Sequence, residues 1–216
     1  MSFGANVTVQ RTQKPTLPGG YAREIVDLCA RFDVAPERLL SGLDLSLATL
    51  TDPDTRVALP AFTRLVRRAE ELTREPGLAY YLGLQMRASW HGFLGFAAMT
   101  AGTVGEALEL AERFGRTRVD AVSLVTRRDG AHVSISLEEH APLGELREFF
   151  VTALFIGLAL IGETLAGRPL AGRGDQQPVD GAHLVDDGGR QAPLLQQQGT
   201  DLRRPQAQHR LRVAGA

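Results

Sequence analysis

Residues 119–165 read VDAVSLVTRRDGAHVSISLEEHAPLGELREFFVTALFIGLALIGETL, and the fold class follows from the two patterns they contain. The first pattern surrounds Asp129-Gly130, a pair that favours a two-residue turn because both positions tolerate positive φ. Folding the chain back around this turn opposes Leu124 to Ile135, so the apolar side chains share one face. Residues 119–137 are therefore predicted to form a β-hairpin.

The second pattern is the predicted helix 143–165, which is apolar through its middle. A helix of this kind is normally central to a core or to a subunit interface. Its most apolar run, Val151 to Gly162, is too short to span a bilayer, which favours a buried helix. A lone hairpin is only marginally stable, so further strands should pair with residues 119–137. After Leu165, however, no segment has a good strand pattern.

The segments before the hairpin are predicted to be helical. Apolar residues repeat with helical spacing at about 21–32, 60–73 and 103–114. Shorter helices are predicted at about 36–40, where Pro36 suits a first turn, and at about 78–86 and 91–101. In the segment 103–114, Thr103 and Glu106 have the spacing of a capping box. The predicted fold is α+β and mostly helical, with the hairpin 119–137 belonging to a small antiparallel sheet packed on the apolar helix 143–165.

Composition divides the chain into three parts. Residues 1–20 are predicted to be a flexible arm, and residues 21–170 a single domain. This domain is predicted to be incomplete, because the strands that should pair with the hairpin are missing from it. The tail, residues 171–216, contains no Phe, Tyr, Trp, Ile or Met and holds eight of the eleven glutamines. Such a segment cannot bury enough apolar surface to offset its ordering entropy, so disorder is predicted for it.

The sequence contains no pattern that is typical of an enzyme. We find no metal-ligand spacing, no phosphate-binding loop and no nucleophile elbow, so neither catalysis nor a cofactor is expected. The single cysteine, Cys29, excludes an internal disulfide framework, and its place on an apolar stripe favours a buried hydrophobe over a nucleophile. The net charge of −1 gives no basic excess of the kind that nucleic-acid-binding surfaces have.

The most distinctive cluster is the segment 90–96, which contains the only tryptophan. Its candidate ligand-binding residues are Trp90, His91, Phe93 and Phe96. Aromatic surface with one polar group is typical of the wall of a small-molecule pocket. The simpler interpretation is helix packing, with His91 as a cap or as a core histidine whose hydrogen bonds are satisfied. Both interpretations stay open at this point.

A second cluster is basic and lies around the hairpin. It consists of Arg116, Arg118, Arg127 and Arg128. Charges near a turn are usually solvated, so this cluster is predicted to be exposed rather than to bind phosphate.

Four short motifs follow one another in residues 60–117. They are Ala69-Glu70, Tyr81-Leu82-Gly83-Leu84, His91-Gly92-Phe93-Leu94-Gly95 and Thr103-Val104-Gly105-Glu106-Ala107-Leu108. In order and spacing they resemble the N-terminal effector-sensing domain of AraC-type bacterial transcription regulators, in the branch of ornithine-utilisation regulators. The resemblance covers about residues 20–170, and Gly167-Arg168-Pro169-Leu170 is the last point that matches.

The resemblance implies a non-enzymatic, cytoplasmic domain that binds an unknown small-molecule effector, dimerises, or does both. Its partner would be a second copy of the chain or an intact regulator in a mixed dimer, with no membrane involved. In the family a helix-turn-helix module follows, and no segment here has its pattern, so DNA contact is expected only in full-length members. The rival class is a stand-alone small-molecule or haem-binding sensor that uses His91.

The loss of pattern after residue 170 has two explanations. GC-rich coding DNA that is read in a shifted frame yields Arg, Gly, Ala, Pro, Gln and Asp, which are the residues that dominate 171–216. By this hypothesis the tail is frameshifted and the chain is a truncated regulator. The alternative is a genuine disordered tail.

Overall fold

The computed structural model describes residues 14–129, 132–168, 171–173 and 209–214. Eight helices lie in these ranges: α1 (Gly19–Ala30), α2 (Pro36–Leu40), α3 (Leu47–Thr51), α4 (Leu59–Thr73), α5 (Leu78–Gln85), α6 (Gly92–Met99), α7 (Val104–Phe114) and α8 (Arg147–Ala166). The strands are β1 (Thr16–Pro18), β2 (Arg56–Ala58), β3 (Val122–Asp129), β4 (His132–Glu139), β5 (Ala171–Arg173) and β6 (His209–Ala214). The predicted α+β class, mostly helical, is confirmed.

The core of the helical part forms where the apolar stripes of α1, α2, α3 and α4 meet. Its largest fully buried side chains include Ile25, Leu28, Leu39, Leu50 and Leu65. Each of these burials stabilises the fold by about 1.5–3 kcal/mol relative to an exposed side chain. The helix α3 was not predicted, because five residues are too few to show a helical period; Ser46 caps it by accepting a hydrogen bond from the amide of Thr49.

The predicted flexible arm is wrong for residues 16–20. Thr16–Pro18 form β1, which pairs antiparallel with β2 and places Leu17 opposite Val57. Both of these side chains are buried, and this burial is the physical reason that the segment is ordered. The helix α1 begins directly afterwards at Gly19. Residues 1–13 lie outside the described ranges.

The helix α7 begins with the predicted cap, in a slightly different form. Thr103 Oγ1 accepts a hydrogen bond from the amide of Glu106 at 3.1 Å, as the capping box requires. The carboxylate of Glu106 accepts from the amide of Gly102 at 2.8 Å, one residue before the expected donor. Two amide groups at the helix start are satisfied in this way.

The hairpin is present, but its register differs from the prediction by two residues. Leu124 pairs with Leu137 rather than with Ile135, and Asp129 pairs with His132. The predicted turn at Asp129-Gly130 is therefore wrong, and the two residues between the strands lie outside the described part. A shift of two residues keeps every side chain on the same face, so the apolar pattern alone does not distinguish these registers.

Two further strands complete the sheet, and they come from the tail. The strand β6 pairs antiparallel with β4 and also with β5, which gives the order β3-β4-β6-β5. The expectation that no strand follows Leu165 is thus wrong for Ala171–Arg173 and His209–Ala214. The tail lacks the aromatic and Ile-rich residues that are typical of strands, so its composition did not predict β5 and β6. These strands are ordered by pairing with each other and with β4. The rest of the tail lies outside the described residues, and the frameshift hypothesis stays untested.

The helix α8 lies against α5 and is the predicted apolar helix. Its buried side chains include Phe149, Val151, Ala153, Phe155 and Ile156. Together with the short turn before it, the helix spans Gly144–Ala166, long and apolar enough to cross a membrane by length and composition alone. The central helix of a soluble protein passes the same test. In this fold one side of α8 packs on α5, and another side faces a cavity.

Candidate functional site

A cavity of about 170 Å³ lies between α6, α7, α8 and the hairpin. Its wall is almost entirely aliphatic and aromatic. The lining residues include Leu94 and Ala98 on α6, Leu108 and Ala111 on α7, and Phe150 and Leu154 on α8. A cavity of about 150 Å³ with this kind of lining holds a benzene molecule, so the space suits one small apolar group.

One end of the cavity is polar. There the hydroxyl of Tyr21 and Nδ1 of His91 are hydrogen-bonded at 2.7 Å, with the two rings in a T-shaped arrangement. The guanidinium of Arg118 lies 5.8 Å from the centre of the Tyr21 ring and donates a 3.4 Å hydrogen bond to the carbonyl of Trp90. Tyr21 comes from α1, His91 from the turn before α6, and Arg118 from the link between α7 and β3. Three distant parts of the chain therefore meet at this end.

Two glycines of the His-Gly-x-x-Gly motif make this meeting possible. Gly92 has φ +57°, and a Cβ there would lie 3.2 Å from Nη1 of Arg118. Gly95 packs against the turn Ala88–His91, and its Cβ would lie only 1.7 Å from the carbonyl oxygen of Ala88. The first glycine allows a left-handed backbone and the approach of Arg118, and the second allows α6 to pack on the turn that carries His91.

Burial keeps the polar end neutral except at Arg118. Burial, and then the nearby charge of Arg118, lower the pKa of His91 to about 4, so the imidazole is neutral at pH 7. Burial raises the pKa of the Tyr21 hydroxyl, and Arg118 opposes that rise. A guanidinium only donates hydrogen bonds, so its proximity favours the tautomer in which Tyr21 donates to Nδ1 of His91. In that tautomer the proton of the imidazole is on Nε2.

Two polar atoms at this end have no hydrogen-bond partner among the described residues. They are Nε2 of His91 and Nε of Arg118, and both atoms are buried although each side chain retains some exposed surface. Buried polar atoms in proteins are nearly always hydrogen-bonded, so each exception requires a reason. No acidic residue occurs among the described residues that line the cavity.

The four residues predicted to form the site separate into two pairs. Trp90 and His91 line the cavity. Phe93 and Phe96 do not, because they lie three residues apart on the outer face of α6 and are 93% and 55% exposed. The four residues are close in sequence, but the helical period of α6 puts Phe93 and Phe96 on the face that points away from the cavity. Of the four predicted residues, therefore, only Trp90 and His91 are part of the cavity wall.

Tyr21 and Arg118 were missed by the sequence interpretation. Arg118 was grouped with the solvated charges of the hairpin, yet it is part-buried and faces the cavity. No local pattern distinguishes it from Arg116, two residues earlier, which is exposed. The polar end depends on contacts between residues far apart in the chain.

Two further kinds of site, a metal centre and a reactive thiol, were sought among the described residues. No group of three or more His, Cys, Asp or Glu side chains there could hold a metal ion. Cys29 is fully buried, and burial raises its thiol pKa to about 11. A thiol in this state is a weak nucleophile, in agreement with its interpretation as a core residue.

Comparison with known proteins gives a family and a relative. A family profile described as the arabinose-binding domain of AraC transcription regulators, N-terminal, matches residues 34–174. The ornithine utilization regulator of Pseudomonas aeruginosa is 29% identical over 142 residues, which is 66% of this chain and 42% of that protein. The chain thus spans less than half the length of the curated relative.

A solved structure described as "Modulating Heme Redox Potential Through Protein-Induced Porphyrin Distortion" aligns with a TM-score of 0.40 and 10% identity. The alignment covers 90% of this chain and 94% of the other. Similarity at this level carries no argument about fold or function.

Proposed function

The chain belongs to the AraC transcription regulators through their arabinose-binding N-terminal domain, and from this membership we propose that its cavity is the site of a small-molecule effector. The cavity carries the proposal, because it combines an apolar body with a single polar end. This combination is typical of sites that bind a small molecule in one orientation. Trp90 and His91 are the two sequence-predicted residues that take part.

The effector would act through the elements that surround it. The cavity is bounded by α6, α7, α8 and the hairpin, so a bound molecule contacts all four. A ligand that prefers one arrangement of these elements shifts the population towards that arrangement. In a full-length regulator this shift would reposition an attached DNA-binding module. We place this chain in the cytoplasm, with DNA contacted only by full-length relatives.

The names of the relatives suggest two effectors, and the cavity argues against both. Ornithine carries two ammonium groups at neutral pH, and the described lining residues offer no carboxylate to pair with them. Arabinose carries several hydroxyl groups, and an almost wholly apolar wall would leave most of them without hydrogen bonds. We therefore expect that neither molecule binds in this cavity.

The alternative function, a haem-binding sensor, has less support. A histidine faces the cavity, but the volume of about 170 Å³ is close to the space that encloses one benzene molecule. A haem macrocycle is several times larger than benzene. Absence of a Soret band after haem addition to the purified chain is the expected result.

Dimerisation remains a separate proposal. It was suggested by the apolar helix 143–165, but α8 uses its buried side chains within the fold, against α5 and the cavity. A homodimer, or a mixed dimer with an intact regulator, would have to use the part of α8 that these contacts leave accessible, or another surface. Sedimentation equilibrium of the chain at tens of micromolar, alone and with an intact relative, tests both forms.

The effector-site proposal is tested with 2-phenylethanol, a neutral molecule of suitable size. Trp90 is the only tryptophan and lines the cavity, so its fluorescence reports binding directly. We expect saturable binding with a Kd of about 1 mM or below, which corresponds to about −4 kcal/mol. Ala111→Phe fills the cavity and should abolish binding, whereas Ala30→Phe, at an exposed position on α1, should not. Equal binding by both variants would show that the molecule binds elsewhere.

A further inference from the structure

We propose that the effector is a small apolar monocarboxylate, with its carboxylate held by Arg118 and His91 and its apolar body in the cavity. This inference rests on the proposed function of the cavity as an effector site. It adds the chemical class of the ligand and assigns Arg118 as the residue that selects the anion.

Arg118 brings a positive charge to the cavity wall. Among the described lining residues it is the only charged one, and it forms no ion pair there. The nearby Asp120 is engaged elsewhere, with the amide of Thr16 at 2.8 Å and with Arg56 at 3.9 Å. A cation beside apolar surface without a counter-ion is costly, so the site favours an anionic ligand.

The two unsatisfied polar atoms at this end are both hydrogen-bond donors. Nε of Arg118 is a donor, and Nε2 of His91 is a donor in the tautomer that Tyr21 and Arg118 favour. Both unsatisfied atoms therefore require acceptors. A carboxylate is acceptor-only and offers two oxygens, which matches two donors. An ammonium ion brings further donors and no acceptor, and it would also meet the charge of Arg118.

The cavity offers few polar groups and a large apolar wall, which limits the kind of anion that fits. A phosphate monoester carries close to two negative charges and three strong acceptor oxygens, more than these two donors satisfy. The planar fork of a guanidinium suits a carboxylate. The rest of the wall is apolar and the volume of about 170 Å³ suits one ring or a short branched chain. An arylacetate meets both requirements.

The test compares three molecules of nearly equal shape on the complete chain at pH 7.5. Phenylacetate is anionic, 2-phenylethanol is neutral and 2-phenylethylamine is cationic. Binding is measured by calorimetry and by Trp90 fluorescence. We expect phenylacetate to bind about tenfold or more tightly than 2-phenylethanol, since hydrogen bonds to charged groups are stronger than neutral ones. The amine should bind more weakly than the alcohol.

Variants assign the preference to Arg118. Arg118→Met keeps a stem of similar length without charge, and the ratio of the phenylacetate and 2-phenylethanol affinities should fall to about one. Arg118→Lys keeps the charge without the fork, and should retain part of the ratio. Arg116→Met is the matched control, because Arg116 is exposed and lies outside the cavity lining. It should retain the full ratio.

The outcomes separate the two proposals. If 2-phenylethanol binds in the cavity and phenylacetate binds no more tightly, the carboxylate proposal is overturned and the effector site stands. If none of the three molecules binds, both proposals fail. A full preference for phenylacetate in Arg118→Met would overturn the role of Arg118. The three-ligand comparison on the unmodified chain needs no variant, so it decides the ligand class even if Arg118→Met does not fold.

Discussion

Acidification from pH 7.5 to 5.0 should destabilise this protein through His91 in particular. The folded chain holds this imidazole neutral, since burial lowers its pKa from 6.5 to about 4. The unfolded chain restores the ordinary value. Between these two pKa values the unfolded state binds more protons than the folded state, so stability falls as the pH falls.

The size of this effect follows from the shift. Each pKa unit corresponds to about 1.4 kcal/mol, so the complete shift is worth about 3 kcal/mol below pH 4. Between pH 7.5 and 5.0 the linkage relation gives a loss of about 2 kcal/mol in the free energy of unfolding. Burial raises the pKa values of Glu24 and Glu70, which contribute with the opposite sign because each folded pKa lies above its unfolded value. Their contribution is common to all variants and cancels in a difference.

The assay is urea unfolding at the two pH values, followed by Trp90 fluorescence. His91→Asn does not titrate, and its side-chain oxygen can still accept a hydrogen bond from Tyr21. The pH-dependent loss of stability should be about 2 kcal/mol smaller in this variant than in the unmodified chain. His140→Asn is the control, since His140 is exposed and bonds to Ser123 at 2.8 Å away from the polar end.

An equal pH dependence in His91→Asn and in the unmodified chain would refute the reasoning. It would mean that the imidazole of His91 is solvated in solution, and that burial does not lower its pKa.

Two other substitutions test how the polar end is supported. Gly95→Ala should destabilise the fold by about 3 kcal/mol or more in urea unfolding, because the added Cβ would overlap the carbonyl of Ala88. Gly20→Ala is the control: its Cβ would meet nothing within 4 Å, so this variant should be neutral or slightly stabilising. Arg56→Ala should cost about 1–2 kcal/mol, since Arg56 donates to two backbone carbonyls in the link before β3 and to β1. Arg67→Ala is the control, because it breaks only an exposed ion pair on α4, and it should change stability by less than about 0.5 kcal/mol. An equal loss of stability in Arg67→Ala and Arg56→Ala would contradict the stabilising role given to the hydrogen bonds of Arg56.

Helices could be predicted from the sequence where the apolar pattern continued over several turns, or where the capping residue lies next to the helix it caps. The helix α4 begins and ends within a residue of its predicted bounds, and Thr103 caps α7 as its sequence indicates. The hairpin strands were predictable as well, but their register was not. A two-residue shift preserves the apolar face, so Leu124 meets Leu137 for reasons that the alternation does not contain.

The strands β5 and β6 show a second limit of prediction from the sequence. Composition argues against ordered structure in residues 171–216, and β6 nevertheless pairs with β4 along six residues. A strand at the edge of a hairpin is ordered by the hydrogen bonds that the hairpin offers. Those bonds depend on a partner far away in the chain, so they leave little trace in local composition.

Local spacing by itself determined the α+β class, most of the helices and the motifs that resemble AraC-type regulators. It also brought Trp90 and His91 to attention. The tertiary structure alone decided that Phe93 and Phe96 face outward, and that Tyr21 and Arg118 meet His91 at the polar end of the cavity. The physical reason is that periodicity records which face of an element is buried, whereas a site depends on which buried faces meet.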